Sequence, residues 1–383
     1  MKYKTKDIAK WDNQVWFKGW SLGYFLTSSL VSAWMNIYFR RYYVEGRDQV
    51  PWDKPLLIVS NHQNAFMDAF AVLSRIREQL YFMTRSDVFL TAPARFFLKM
   101  YHMIPIFRQK DGLDSQAANK DIFGLTYWMF NKGASILIFP EGNCVPANTL
   151  RTFRKGAVRM VFGAEEAYEE QLDLHILPTG INYSGHTQFR SDAHVVFGKA
   201  IPVSDYMPLY REKPEVAMRN LTQEMRARIE ELIVDVPDVE HRSAINDFLE
   251  MMADYLHCDR GYRQRVISKI NKCKKRIMKG VNRLREAEEG RYQEFLDDAE
   301  IYQKMVNENG LKNKAIGKEG RGLSFLLHLL GVIILAVPAL YGYIHHLIPN
   351  FLTNYITKNK VREDQFITSI RFTSGMLLTP PFY

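Results

Sequence analysis

Leu56-Leu57-Ile58-Val59-Ser60, followed at once by Asn61-His62-Gln63-Asn64-Ala65-Phe66-Met67-Asp68, is the stretch that decides the fold. Four consecutive large aliphatic residues and a serine make a strand with both faces buried, and a helical stretch over 65–78 follows without a hairpin turn. The same succession recurs downstream. Further strands are expected at 81–84, 136–139, 176–183 and 195–197, with helices near 92–101, 115–131 and 157–167. Alternation of this kind between Pro51 and about Pro202 predicts an α/β domain whose mostly parallel or mixed sheet is flanked by helices. In such sheets the chemistry collects in loops beyond the strand ends.

Outward from this core, residues 19–39 form an uncharged, aromatic-rich run of 21 residues between Lys18 and Arg40-Arg41. Its weak hydrophobicity, with Ser, Thr and Asn inside, favours a helix lying in a membrane interface; a spanning helix and a packed core helix are the alternatives. The polar N-terminus shows no signal-peptide core. Residues 214–320 are charged and helical, and Ile267, Ile270, Ile277, Val281 and Leu284 form a helical stripe that predicts an antiparallel hairpin. Residues 322–357 carry no charge over 36 positions, although Pro338, Gly342 and Pro349 interrupt them. The part over 323–343 is long and apolar enough to span a bilayer, with a re-entrant hairpin as the alternative. The short apolar stretch over 375–383 reads as the start of another membrane segment, cut off. The expected organisation is therefore 1–48 membrane-associating, 49–213 catalytic, 214–320 charged helical and 321–383 a C-terminal membrane region, separable from the catalytic part.

The 383 residues are 47% hydrophobic and 24% charged, which suits globular domains and excludes wholesale disorder. Cys144, Cys258 and Cys273 are widely spaced, which excludes a disulfide framework and a cysteine-built zinc site and fits a reducing, cytosol-facing compartment. The net charge of +9 is local. Between Arg260 and Arg291 twelve Lys/Arg face three Glu, an excess equal to that of the whole chain. This basic stretch reads as a solvated helical pair beside the membrane, with contact to anionic lipid as the alternative; no nucleic-acid motif surrounds it.

Four segments carry chemistry. His62 sits in a strand-end turn and Asp68 in the first turns of the next helix, so the carboxylate can fix the imidazole tautomer and leave the second nitrogen to take a proton. No Ser or Cys elbow accompanies them, which leaves a substrate hydroxyl as the nucleophile. Arg108, after Ile104-Pro105-Ile106-Phe107, offers a bidentate contact to phosphate. Glu141 and Gly142 follow the strand Ile138-Phe139-Pro140 at the same sheet edge as His62. Ile176-Leu177-Pro178-Thr179-Gly180 reads as a further strand end.

Asn-His…Asp, then Ile-Pro-x-x-Arg, then Phe-Pro-Glu-Gly, then a late apolar-Pro segment, in this order, resembles the glycerophospholipid acyltransferase family over about Tyr43 to Tyr206. The resemblance implies that family's fold, with His62 as general base and Asp68 as its orienting partner. It also implies that Arg108, Glu141 and Gly142 shape the acceptor site and that Lys155 is a candidate for the acceptor phosphate. Two departures stand out: five residues, not four, separate His62 from Asp68, and Asn143-Cys144 replaces the usual Thr-Arg. The implied reaction moves a fatty acyl group from acyl-CoA or acyl-carrier-protein to glycerol-3-phosphate or 1-acyl-glycerol-3-phosphate at a membrane, on its cytoplasmic side. It needs no metal or other cofactor, because the thioester is already activated. The alternatives are a non-phosphorylated lyso-aminolipid acceptor and a membrane-tethered lipid-binding scaffold.

Overall fold

The computed structural model describes residues 21–76, 78–89, 98, 100–107, 115–256, 265–308, 322–361 and 364–379. Among them eight strands form one sheet: β1 (Arg41–Glu45), β2 (Leu56–Ser60), β3 (Leu80–Arg85), β4 (Met103–Ile106), β5 (Ser135–Ile138), β6 (His175–Tyr183), β7 (Asp192–Phe197) and β8 (Ile201–Pro202). Their order is β1-β7-β6-β2-β5-β3-β4, with β8 also on β6. The run from β6 to β4 is parallel throughout. β7 joins β6 antiparallel and β1 joins β7 parallel, so the sheet is mixed.

Period-2 side-chain alternation in β2 builds both halves of the core at once. Leu57 and Val59 face a layer made by α3 (Ser115–Asn131), α4 (Gly156–Ala167) and α6 (Pro214–Leu232), where Met129, Val161 and Leu221 are buried. Leu56 and Ile58 face the other layer, made by α1 (Leu22–Tyr38), α2 (Ala65–Leu73) and α11 (Ile367–Leu378), where Met35, Val72 and Phe372 are buried. A short helix, α5 (Met207–Glu212), leads into α6.

Three strands escape the sequence pattern. β4 contains Pro105, which an edge strand tolerates because one side of its ladder is free. β8 has only two residues. β1 begins at Arg41, which reads as a membrane flank. Here Arg40 and Arg41 instead both ion-pair with the buried Asp192 at the start of β7, and Arg40 Nε lies 3.1 Å from Asp192 Oδ1. The sheet therefore begins before residue 49. Pro178-Thr179-Gly180 is not a strand end: it lies inside β6, where Leu232 packs so closely on Gly180 that a Cβ there would meet it at 2.5 Å. The helix expected over 92–101 falls largely outside the described residues.

α7 (Arg242–Leu256), α8 (Arg265–Ala287) and α9 (Glu289–Glu308) enclose a separate small core with Leu249, Val281 and Leu296. The expected hairpin is thus two members of a three-helix cluster. α8 docks on the sheet through Glu45, which accepts from Lys272 Nζ at 2.7 Å and also binds Ser268.

The membrane expectations change in two places. α1 buries Tyr24, Val31 and Met35 in the domain and turns Leu22, Leu26, Leu30 and Ile37 outward. Its inner face is core, as the packed-core alternative expects and unlike a free spanning helix, while its outer face is apolar and exposed. α10 (Gly322–Lys360) is one continuous helix with Pro338 and Pro349 inside it, where the re-entrant alternative needs a break. Its portion Leu329–Asn359 is long and apolar enough to cross a membrane. The chain then returns. α11 is no interrupted membrane segment, because Phe372 and Met376 are buried against α1 and α2, and its apolarity serves the protein core.

Phe372→Ala should therefore destabilise the α/β domain by about 3–5 kcal/mol, because its ring is fully buried. Leu377→Ala, at a residue 61% exposed, should leave the thermal midpoint in detergent within a degree or two of wild type. Equal effects of the two substitutions contradict the packing of α11.

Candidate active site

β2, β5 and β6 run parallel side by side, so their C-terminal ends share one sheet edge. Asn61 extends the β2–β6 ladder past its last residue. Its fully buried side chain donates to Ile181 O at 2.9 Å and accepts from Ile181 N at 2.8 Å. This fixes the backbone at the next residue, His62. The His62 N–H donates to Glu141 Oε1 at 3.1 Å, and the His62 carbonyl accepts from Val145 N at 3.4 Å. The imidazole stacks on Phe139 with centroids 4.0 Å apart and planes 9° apart.

Asp68 reaches His62 from the first turn of α2, with Nδ1 to Oδ2 at 2.8 Å. The same Oδ2 accepts from Gln63 N and Asn64 N, both at 2.7 Å, and Oδ1 accepts from Tyr183 Oη at 2.9 Å. Burial and the Asp68 carboxylate hold the Tyr183 hydroxyl well above the usual phenol range, so it remains a donor. With Nδ1–H given to the carboxylate, Nε2 carries the lone pair. Among the described residues Nε2 makes no hydrogen bond, and the ring lines a cavity of about 480 Å³.

Between His62 and Asp68 the backbone is left-handed at Ala65, φ 42°. The Ala65 N–H is held by Cys144 Sγ at 3.0 Å, and burial pushes the Cys144 thiol up, away from the reactive thiolate form. His62, Asp68 and Cys144 bring ligand atoms within 4.8 Å of one another. In this arrangement Nδ1 is bonded to Asp68 and the sulfur accepts from the Ala65 N–H.

Glu141 departs from its expected role. It does not line the cavity; its carboxylate is 5% exposed and binds Arg151 Nε at 2.6 Å besides the His62 N–H. Burial raises its carboxyl, and the Arg151 guanidinium works against that shift. It holds His62 from behind. Gly142 does line the cavity, and its φ of 76° and the Arg154 side chain above it leave no room for a Cβ. Lys155 lines the cavity at the start of α4 and is ion-paired with Glu215 at 2.6 Å across exposed surface. Arg108 lies outside the described residues, although Phe107 just before it lines the cavity.

Several residues escaped sequence reasoning. Tyr183 lies 115 positions from Asp68. Arg154 and Arg159 join Lys155 on the cavity wall, and the Phe-Arg-Lys-Gly run carried that signal. On the apolar side the cavity meets Phe66, Phe82, Met83, Met103 and Ile106. Gln365 and Phe366 reach it from the chain beyond α10.

His186 backs the loop, with Nε2 3.1 Å from Gln63 Oε1. Burial pushes its pKa down to about 4. The unfolded chain, with an ordinary histidine pKa, binds this proton first, so stability falls as pH drops from about 6.5 towards 4 and levels off below. The loss from this group is on the order of 3 kcal/mol. Between pH 7 and 4.5 the thermal midpoint of wild type should drop further than that of His186→Gln; equal drops contradict the assignment.

Residues 41–182 match the family model described as Acyltransferase. Over 132 residues the chain is 27% identical to a chloroplastic 1-acyl-sn-glycerol-3-phosphate acyltransferase of Arabidopsis thaliana, covering 33% of this chain and 35% of that protein. Over 208 residues it is 25% identical to the 1-acyl-sn-glycerol-3-phosphate acyltransferase of Pseudomonas aeruginosa, covering 53% and 72% respectively. The crystal structure of a 1-acyl-sn-glycerophosphate acyltransferase from Thermotoga maritima aligns with 17% identity and a TM-score of 0.38, over 54% of this chain and 80% of that one. The chain spans about a third of the length of the plant relatives it matches. The matched segment encloses His62, Asp68, Glu141, Gly142 and Lys155, so the similarity to acyltransferases covers the part of the α/β domain that carries the sequence motifs.

Proposed function

We propose that this chain transfers a fatty acyl group from a thioester to the free hydroxyl of 1-acyl-sn-glycerol-3-phosphate, with His62 as general base. The observation that carries the reading is the His62 ring: Nδ1 is tied to a buried carboxylate, and Nε2, which makes no hydrogen bond among the described residues, faces a mostly apolar cavity. The acceptor hydroxyl gives its proton to Nε2 while its oxygen attacks the thioester carbonyl. The tetrahedral intermediate then collapses, the carbon–sulfur bond breaks, and the leaving thiolate takes the proton from His62. Asp68 stabilises the imidazolium that forms between the two steps.

The cavity offers both ends of such a substrate a place. Its apolar wall suits an acyl chain, and Arg154, Lys155 and Arg159 at the N-terminus of α4 suit a phosphate. The exposed Lys155–Glu215 pair contributes little to stability and leaves Lys155 available to an anion. α10 and the outward apolar face of α1 suit a site at a membrane, where the lysolipid acceptor resides. Acyl-CoA and acyl-carrier-protein both supply the required thioester.

The test is transfer of a labelled acyl group to lysophosphatidate by the full chain in vesicles, with glycerol-3-phosphate as the competing acceptor. His62→Ala should lower kcat by about 10²–10⁴-fold, and Asp68→Asn by at least about 10²-fold, with both variants folded. Arg154→Ala should raise the KM for lysophosphatidate several-fold and leave that for the thioester unchanged. Near-wild-type turnover by His62→Ala overturns the general-base role.

A further inference from the structure

α2 begins without the cap that its sequence advertises. Asn64 stands at the N-cap position, yet its side chain makes no cap hydrogen bond and instead donates to His186 O at 2.8 Å. An uncapped helix start leaves backbone N–H groups without partners, and this one is buried. Two distant side chains reinforce this helix start. Cys144 Sγ takes the Ala65 N–H, and the Met67 N–H, which donates to Asn64 O at 2.9 Å, is shared with Ser369 Oγ at 3.2 Å from 302 positions away. The Ser369 hydroxyl also donates to Asn64 O at 3.2 Å. Next to it Thr368 Oγ1 donates to His186 O at 2.6 Å, the carbonyl that Asn64 Nδ2 also binds. Ser369 is 2% exposed and Thr368 1%, so these contacts lie within the protein and not on a loose tail.

The segment they hold is the one that serves Asp68. Gln63 N and Asn64 N donate to Asp68 Oδ2, and Asp68 itself lies one residue beyond Met67. We propose that Ser369, carried by the helix that follows the membrane segment, is a positioning residue for the His62–Asp68 pair, acting as an N-cap for α2 supplied from the far end of the chain. Resting on the acyl-transfer reading above, this makes the C-terminal region part of the working enzyme, where the sequence suggested a separable anchor. A serine at this place touches neither substrate nor His62. Its effect is on how closely the Asp68 turn is held.

The experiment uses the full chain in vesicles and compares wild type, Ser369→Ala and Thr373→Ala. Thr373 is a control on the same helix, because among the described residues its hydroxyl bonds only within α11, to Ser369 O at 2.8 Å. Ser369→Ala should lower kcat about five- to tenfold, the kinetic equivalent of a lost helix cap, with the KM of both substrates within twofold. Hydrogen–deuterium exchange should rise over residues 61–68 and stay unchanged in β3 and β5. Thr373→Ala should change neither. Should Ser369→Ala fail to fold, Ser369→Cys keeps a weak donor and acceptor and should fall between the two. Unchanged kcat, or exchange that rises equally across the whole sheet, overturns the positioning role. If wild type transfers to no acceptor, the acyl-transfer reading fails, while the exchange over 61–68 still decides whether Ser369 holds the loop.

Discussion

Four hydrogen-bond donors converge on the buried carboxylate of Asp68: the His62 ring, two consecutive backbone amides and the Tyr183 hydroxyl. A carboxylate buried without partners costs several kcal/mol. These contacts are therefore as much a condition for folding the loop as for orienting the imidazole. Each donor comes from a different piece of the architecture. His62 depends on the end of β2, the amides on the strained entry to α2, and Tyr183 on the end of β6. The strands must lie parallel and adjacent for the three to meet, which ties the chemistry to the sheet order itself.

A second shell of contacts behaves in the same way. Glu141, at the end of β5, holds the His62 amide, and Arg151 holds Glu141. Arg226 of α6 in turn donates to the Arg151 carbonyl at 2.7 Å. The glutamate of the Phe-Pro-Glu-Gly motif thus acts from behind the histidine, where it fixes the backbone, while the phenylalanine, proline and glycine line the cavity and the phenylalanine stacks on the ring.

What the sequence shows here follows from the range of each interaction. β2 is legible because burial on both faces leaves an unbroken apolar run, and the His62–Asp68 pair because six positions bridge one turn. Tyr183 and Ser369 are not legible, since a hydroxyl that closes a contact over 115 or 302 positions leaves no local pattern. Apolar stretches are ambiguous for a different reason. α10 and α11 are both largely apolar, but α10 is exposed over its apolar portion and α11 is packed against the protein core, and hydropathy measures only the departure from water. Arg40 and Arg41 mislead in the same way: a basic pair beside an apolar helix looks like a membrane flank, and only Asp192, about 150 positions later, turns it into a strand anchor. The basic excess of α8 is partly spent inside the protein too, since Lys272 binds Glu45 and the buried Lys274 binds Glu250.

The connection from α10 to α11 works as a ruler. Only three residues separate Lys360 from the start of the next turn at Asp364, and a chain of that length reaches no further than about 14 Å. Were α10 to cross a bilayer, α11, built into the core, would hold the domain close above the membrane. Its height cannot exceed the reach of that link plus whatever part of α10 emerges. At about 1.5 Å per residue the apolar portion of α10 measures roughly 46 Å against a hydrocarbon thickness of about 30 Å, so it tilts or projects. A lipid acceptor under such a domain need not leave the bilayer to react. It has only to rise by the headgroup and glycerol, keeping its chain among its neighbours, and the energetic cost of extracting a whole lysolipid into water is avoided.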